Sequence, residues 1–164
     1  SKQEMIGKVA AMSDARASEE TLIIARTDAV AVEGFNAAID RAGAYLEAGA
    51  DVLFIEAPST EEQLMEITKE LGSKVPLLVN MVEGGTTPIS SAEHLEELGF
   101  SIVIFPGGIV RAIARTAQAY YASLYENGSN KLFSGKMFDF RKLNNILGIQ
   151  DLLSKSEKYD PKSQ

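Results

Sequence analysis

The sequence has no cysteine in 164 residues, and basic residues are outnumbered, with 16 Lys and Arg against 23 Asp and Glu for a net charge of -7. Without cysteine there is no disulfide framework, no thiolate metal site and no cysteine nucleophile. A nucleic-acid or anionic-membrane surface needs a basic patch, so neither partner is expected. No apolar run approaches the roughly 18 residues of a spanning helix, and the opening residues do not read as a signal peptide. A reducing, cytoplasmic setting is the expectation. The first residue is Ser rather than Met, and further chain is expected ahead of it. What is present, 45% hydrophobic and 24% charged residues, is ordinary for a globular domain, and the length suits one domain with a real core.

Four short apolar runs, Leu22–Ala25, Val52–Ile55, Leu77–Val79 and Ile102–Phe105, lack polar alternation. They predict strands buried on both faces, as in a parallel sheet. Amphipathic stretches lie between them. In Asn36–Ala48, the residues Ala38, Ile39, Ala42, Tyr45 and Leu46 keep a helical spacing, and Glu61–Leu71 and Ala92–Leu98 behave alike. Ser59 with Glu62 and Ser90 with Glu93 have the spacing of capping boxes. Gly49, Gly72 and Gly99 stand at the expected helix stops. The ~25-residue interval is the rhythm of a (β/α) barrel or a doubly wound sheet. An opening helix over Gln3–Ala17 precedes this core. A long helix from about Gly108 to Tyr125, a polar hairpin-like stretch and one more helix in "FDFRKLNNILG" follow it. The whole of 1–164 reads as a single partial domain, with a frayed polar tail from about 156.

Each strand ends in polar chemistry. After the first come Arg26, Thr27 and Asp28, after the second Glu56, after the third Asn80, and after the fourth Pro106, Gly107 and Gly108. In parallel α/β sheets, sites form at the carboxyl ends of the strands, so Arg26, Glu56 and Asn80 are expected at one rim. Arg supplies a planar fork for a carboxylate or phosphate, and Asn can donate to a second anionic group. Glu56 could act as a base, meet a metal through water, or orient Arg26. The alternative is an Arg26–Glu56 ion pair that only closes the barrel top. Asp28 could cap the following loop or helix. Arg111, in the first turn of the next helix, opposes the helix macrodipole and suits an anion contact on the same rim. His94 sits in "SAEHLEELG" and reads as a surface residue, and Tyr120 and Tyr121 read as packing residues. "EGGTTP" lacks the lysine of a P-loop and reads as a mobile turn or lid.

The segments "IIARTDA", "EGFNAAIDRAGAYLEAGADVLFIEA", "PLLVNMVEGGTTP" and "LGFSIVIFPGGIVRA", in this order, closely resemble the isocitrate lyase/phosphoenolpyruvate mutase superfamily. The resemblance extends to "MFDFRKLNNILG". It implies an α/β fold, the second half of a (β/α)8 TIM-type barrel with four parallel strands and helices, whose C-terminal helix is swapped between subunits of a homo-oligomer. It also implies Mg2+-dependent cleavage or formation of a C–C or P–C bond next to a 2-oxo acid, through an enolate-like pyruvate species. The Mg2+ ligands and a catalytic lysine loop belong to the family's first half. A whole barrel takes ~250 residues, so a fragment, or a half that meets a complement, is expected.

Carried over by position, the resemblance makes Arg26 a catalytic and substrate-binding residue that holds a carboxylate and the enolate oxygen. Glu56 becomes a catalytic residue near the metal waters, with contact to Mg2+ through water. Asn80 and Arg111 become substrate-binding residues. The methylisocitrate-cleaving branch has an Arg where Phe140 aligns, with Arg141 one position away. This departure and "NMVEGG" lean toward the phosphonomutase and oxaloacetate-decarboxylase-like branches. The expected activity is thus a lyase or phosphonomutase acting on a small carboxylate or oxo-acid, this chain alone being inactive. The rivals are an inactive structural or assembly fragment and a small-carboxylate-binding module.

Overall fold

The computed structural model describes residues 1–157 and 159, which group into two compact units, residues 1–109 and residues 110 onward. The first unit begins with α1 (Lys2–Ala15), whose Ser1 side chain accepts from the Glu4 backbone N–H. It continues through β1 (Ile24–Thr27), α2 (Val30–Glu33), α3 (Phe35–Glu47), β2 (Val52–Ile55), α4 (Glu61–Leu71), β3 (Leu77–Asn80), α5 (Ala92–Leu98) and β4 (Ile102–Ile104). The strands form one sheet in the order β1-β2-β3-β4, every neighbouring pair parallel. Parallel neighbours require a crossover, and the intervening helices supply it.

The pleat divides each strand between two apolar layers. Ala25, Leu53, Ile55, Leu77 and Val79 pack with Ala38, Ala42 and Tyr45 of α3, Leu64, Ile67 and Leu71 of α4, and Leu95 of α5. On the opposite face Val52, Phe54 and Leu78 form a smaller cluster with the half-buried Ile102 and Ile104. The two central strands are therefore buried on both faces, as expected, but β1 is not. It alternates exposed and buried, with Ile24 half exposed, and β4 is only half-buried along its length, because these two strands are the edges of the sheet.

Glu61–Leu71 and Ala92–Leu98 form helices with the expected bounds. Their caps lie one residue later than the spacing suggested. Thr60 accepts from Gln63 N, and Ser91 from His94 N. Gln63 Oε1 in turn accepts at 2.7 Å from the N–H of Ser59, the residue before the cap. Gly49 and Gly99 are left-handed, as a helix stop favours, whereas Gly72 keeps helical backbone.

In α6 (Gly108–Asn127), residues 110 onward begin the second unit. The stretch expected as a hairpin is a 3-10 helix, Lys131–Lys136. Its Phe133 is buried, edge-on to Tyr120 at 5.4 Å between centroids. Tyr121, read from sequence as a packing residue, is 66% exposed. The final expected helix is two, α7 (Phe140–Ile146) and α8 (Ile149–Glu157). The expected frayed tail lies largely outside the described residues. Among the described residues no helix is long and apolar enough to cross a membrane.

Candidate active site

Register, more than strand ends, decides who meets whom at the rim. Arg26 and Thr27 are within β1, and Asn80 is the last residue of β3. Arg26 pairs across β1 and β2 with Phe54, and Phe54 pairs onward with Leu78. Side chains two residues apart share a face, so Glu56 and Asn80 stand one step beyond Phe54 and Leu78. Arg26 lies one step deeper, with its guanidinium 4.9 Å from the centre of the Phe54 ring. A cation over an aromatic face gains electrostatic stabilisation, and the ring fixes the plane of the fork.

The structure brings the three predicted residues of these strands together. Arg26 Nη1 lies 3.7 Å from Glu56 Oε2, and Asn80 Nδ2 donates to both Glu56 oxygens at 3.4 Å. The Glu56 side chain is 21% exposed against 47% for Arg26. Asp28 takes most of the fork. Arg26 Nε and Nη2 donate to its two carboxylate oxygens at 2.9 and 2.7 Å. From its sequence position Asp28 could cap the following loop or helix. The cap of that turn is instead Thr27, whose buried hydroxyl accepts from Ala29 N at 3.3 Å. On the other side of Arg26, a cleft of about 350 Å³ is lined by Thr27, Asp28, Arg41 and Tyr45 among others.

The hydrogen bond from Arg26 holds the Asp28 carboxyl below its ordinary value, and Asp28 in turn raises Arg26. A lowered carboxyl contributes stability above its unfolded value, near pH 4, and loses it as pH falls through the lower folded value. The pair is largely exposed and screened, so the contribution is small. Asp28→Asn is expected to lower the neutral plateau of the urea midpoint slightly and to converge with the unaltered chain in acid, so that the limb below about pH 4 is shallower by the same small amount. An acid limb identical to that of the unaltered chain contradicts the pairing.

Directly after Glu56 the backbone is unusual. Ala57 has φ +59, a left-handed conformation that costs a residue with a β-carbon roughly 1–2 kcal/mol, and Pro58 follows. This turn carries the chain away just past the Glu56 carboxylate. Ala57→Gly is expected to raise the urea midpoint, by up to about 1 kcal/mol of stability after the glycine entropy cost. A lower midpoint would show that the turn is not strained.

Arg111 is in the first turn of α6 and belongs to the second unit. His94 is on α5, its Nε2 3.3 Å from Glu61 Oε1 on the exposed side of the helices, as its sequence setting suggested. Two contributors were not named from sequence, Phe54 beneath Arg26 and Asp28 as its bidentate partner. Pairing Arg26 with Phe54 needs the register, although Asp28 two residues from Arg26 on one strand face was a usable signal.

Mg2+ requires about six oxygen ligands. Among the described residues no three His, Asp or Glu side chains come together as a metal-holding group, and Glu56 is already engaged by Arg26 and Asn80. These residues alone do not supply the ligand set that the ion needs.

A family profile described as phosphoenolpyruvate phosphomutase matches residues 1–125. The chain is 34% identical to the 2,3-dimethylmalate lyase of Eubacterium barkeri over 97% of its own length and 54% of that protein's. It is 35% identical to the 2-methylisocitrate lyase of Aeropyrum pernix over 100% of its length and 52% of that protein's. Among solved structures, an oxaloacetate acetylhydrolase superposes with a TM-score of 0.87 at 26% identity, over 98% of this chain and 56% of that one. The chain thus spans about half the length of the relatives it matches, and its four parallel strands with their helices correspond to half of a (β/α)8 barrel.

Proposed function

Because the chain belongs to the phosphoenolpyruvate phosphomutase/isocitrate lyase family, we propose that Arg26, Glu56 and Asn80 bind and polarise a small branched 2-hydroxy acid while its C2–C3 bond is broken. The C2 hydroxyl loses its proton to become the carbonyl of pyruvate, and the bonding electron pair leaves with the other fragment, which is then protonated. The observation that carries this reading is the network itself. Three polar side chains from three successive parallel strands bond to one another at the carboxyl rim, the place where such sheets hold ligands. Arg26 presents a planar fork to a carboxylate and to the oxygen that gains charge as the enolate forms. Donors fixed in advance stabilise that charge without reorganising. Asp28 occupies the fork in the free protein, so substrate binding exchanges one carboxylate for another or shares the guanidinium. Glu56 keeps Arg26 and Asn80 oriented. The Asn80 Oδ1 atom is buried without a hydrogen-bond partner, and a substrate hydroxyl is the donor it lacks.

The two curated relatives above are lyases named for a branched malate and a branched isocitrate. On that basis carbon–carbon cleavage is placed ahead of phosphonate chemistry, although Phe140 leaned the other way, and Arg111 is assigned to a second substrate carboxylate. The Mg2+ implied by the resemblance would draw its carboxylate ligands from the part of the relatives' length that this chain does not span, with Glu56 meeting it through water. By itself this chain is expected to be inactive. Self-association through α7 and α8 and a cytoplasmic setting belong to the same proposal. Phe140, Ile146, Leu147 and Leu152 are all exposed there, and apolar faces of this kind mark association surfaces.

The complete enzyme should be assayed with 2-methylisocitrate, 2,3-dimethylmalate, oxaloacetate and phosphonopyruvate. Release of pyruvate from one of the two branched acids is the expected result. Turnover of phosphonopyruvate alone would restore the phosphonate reading, and binding without turnover of any of them would favour the carboxylate-binding module.

A further inference from the structure

The "EGG" turn after β3 and the glycine pair after β4 take no part in the network above, yet they meet. We infer that Glu83 is a positioning residue, a latch whose carboxylate lies against Gly108 at the start of α6 and holds the loop after β3 across the end of β4. This rests on the fold and stands whether or not the proposed reaction is correct.

The loop leaves the sheet immediately after Asn80. Met81 is fully buried, and its N–H donates to Ile104 O at 2.9 Å, so the loop starts out fastened to β4. A tight turn follows, closed by Gly85 N to Val82 O at 2.9 Å. Gly84 has φ +75, and a β-carbon on Gly85 would fall 3.0 Å from Val82 O and 3.3 Å from Val82 Cβ. The positive φ of Gly84 favours glycine there, and a side chain on Gly85 would press on Val82. At the far end of the loop Thr87 is buried and Ser90 N donates to Met81 Sδ at 3.4 Å. In the middle of the loop Glu83 lies against Gly108.

Gly108 shows the other half of the latch. Its φ is not positive, so its backbone does not demand glycine. A β-carbon there would lie 2.8 Å from Glu83 Oε1 and 3.7 Å from Glu83 Cδ, so an alanine would push the end of the Glu83 side chain out of this position. The first turn of α6 has no acidic residue of its own, and a negative charge at a helix N-terminus is stabilising. Glu83 supplies that charge from the neighbouring loop. In doing so it ties the segment next to Asn80 to the strand end next to it.

Hydrogen–deuterium exchange on the 164-residue chain tests this. In Glu83→Ala and in Gly108→Ala, amides of residues 83–87 are expected to exchange about twofold to fivefold faster, the range set by an exposed helix-terminus charge contact. Amides of α4 should stay unchanged. Glu83→Gln, an exposed change that keeps reach but removes charge, should fall between. The decisive arm is the double variant, Glu83→Ala with Gly108→Ala. If the two residues form one latch, it exchanges no faster than the faster single variant. Unchanged loop exchange in Glu83→Ala, or single effects that multiply in the double variant, would overturn the assignment.

Discussion

Arg26→Lys in the complete enzyme is expected to lower kcat by about a hundredfold or more, the loss seen when one preorganised oxyanion donor is removed. Lysine keeps the charge but not the planar fork. It can neither bridge two oxygens side by side nor lie flat over Phe54, whose ring centre is 4.9 Å from the guanidinium carbon. Asp28 and Glu56 would both keep a cation nearby, so the fold should survive and the defect should appear in turnover. Steady-state kinetics on the purified variant, with circular dichroism to confirm folding, reads the effect. A variant that keeps more than half of the original kcat would remove Arg26 from the chemistry.

The second large effect concerns stability. Leu53→Ala should cost about 2–5 kcal/mol, a sizeable part of the roughly 5–15 kcal/mol that holds a domain together. Leu53 is fully buried in the middle of β2, in the layer that joins the sheet to α3, α4 and α5. Residues of α3, α4 and α5 in the same packed layer leave little freedom to collapse onto the missing atoms. Leu22→Ala, at a position 59% exposed, should change stability by no more than about 0.5 kcal/mol. Urea midpoints compared at constant slope measure both. A cost below 1 kcal/mol for Leu53→Ala would mean that this layer is not the principal core.

Elements with a strong period were legible in the sequence. α4 and α5 have the expected bounds because their apolar positions recur at helical spacing and glycine follows each. β2 also has the expected bounds, since it is central and apolar on both faces. β1 was placed too early, because apolar Leu22 looked like strand while polar Arg26 and Thr27 looked like its end. Backbone pairing with β2 ignores side-chain polarity and runs from Ile24 through Thr27. α2, a single turn with no buried residue, has too little pattern to detect. The meeting of Arg26, Glu56 and Asn80 followed from parallel strands sharing a rim. Their relative depth did not follow, because register is a property of two strands and cannot be read from either one. The bidentate hold of Asp28 on Arg26 joins residues two apart in the chain, so it did not depend on register and its signal was present in the sequence.

The claim that these strand-end residues work as one unit is tested most directly by a double-mutant cycle on kcat/KM in the complete enzyme. Arg26→Lys and Asn80→Ala are made singly and together, with whichever branched acid the enzyme turns over. Residues joined in one network couple. The account predicts that the double variant is hardly worse than Arg26→Lys alone, because losing either residue already disorganises the site around Glu56. Losses that multiply independently, or an Asn80→Ala variant as fast as the unaltered enzyme, would contradict it.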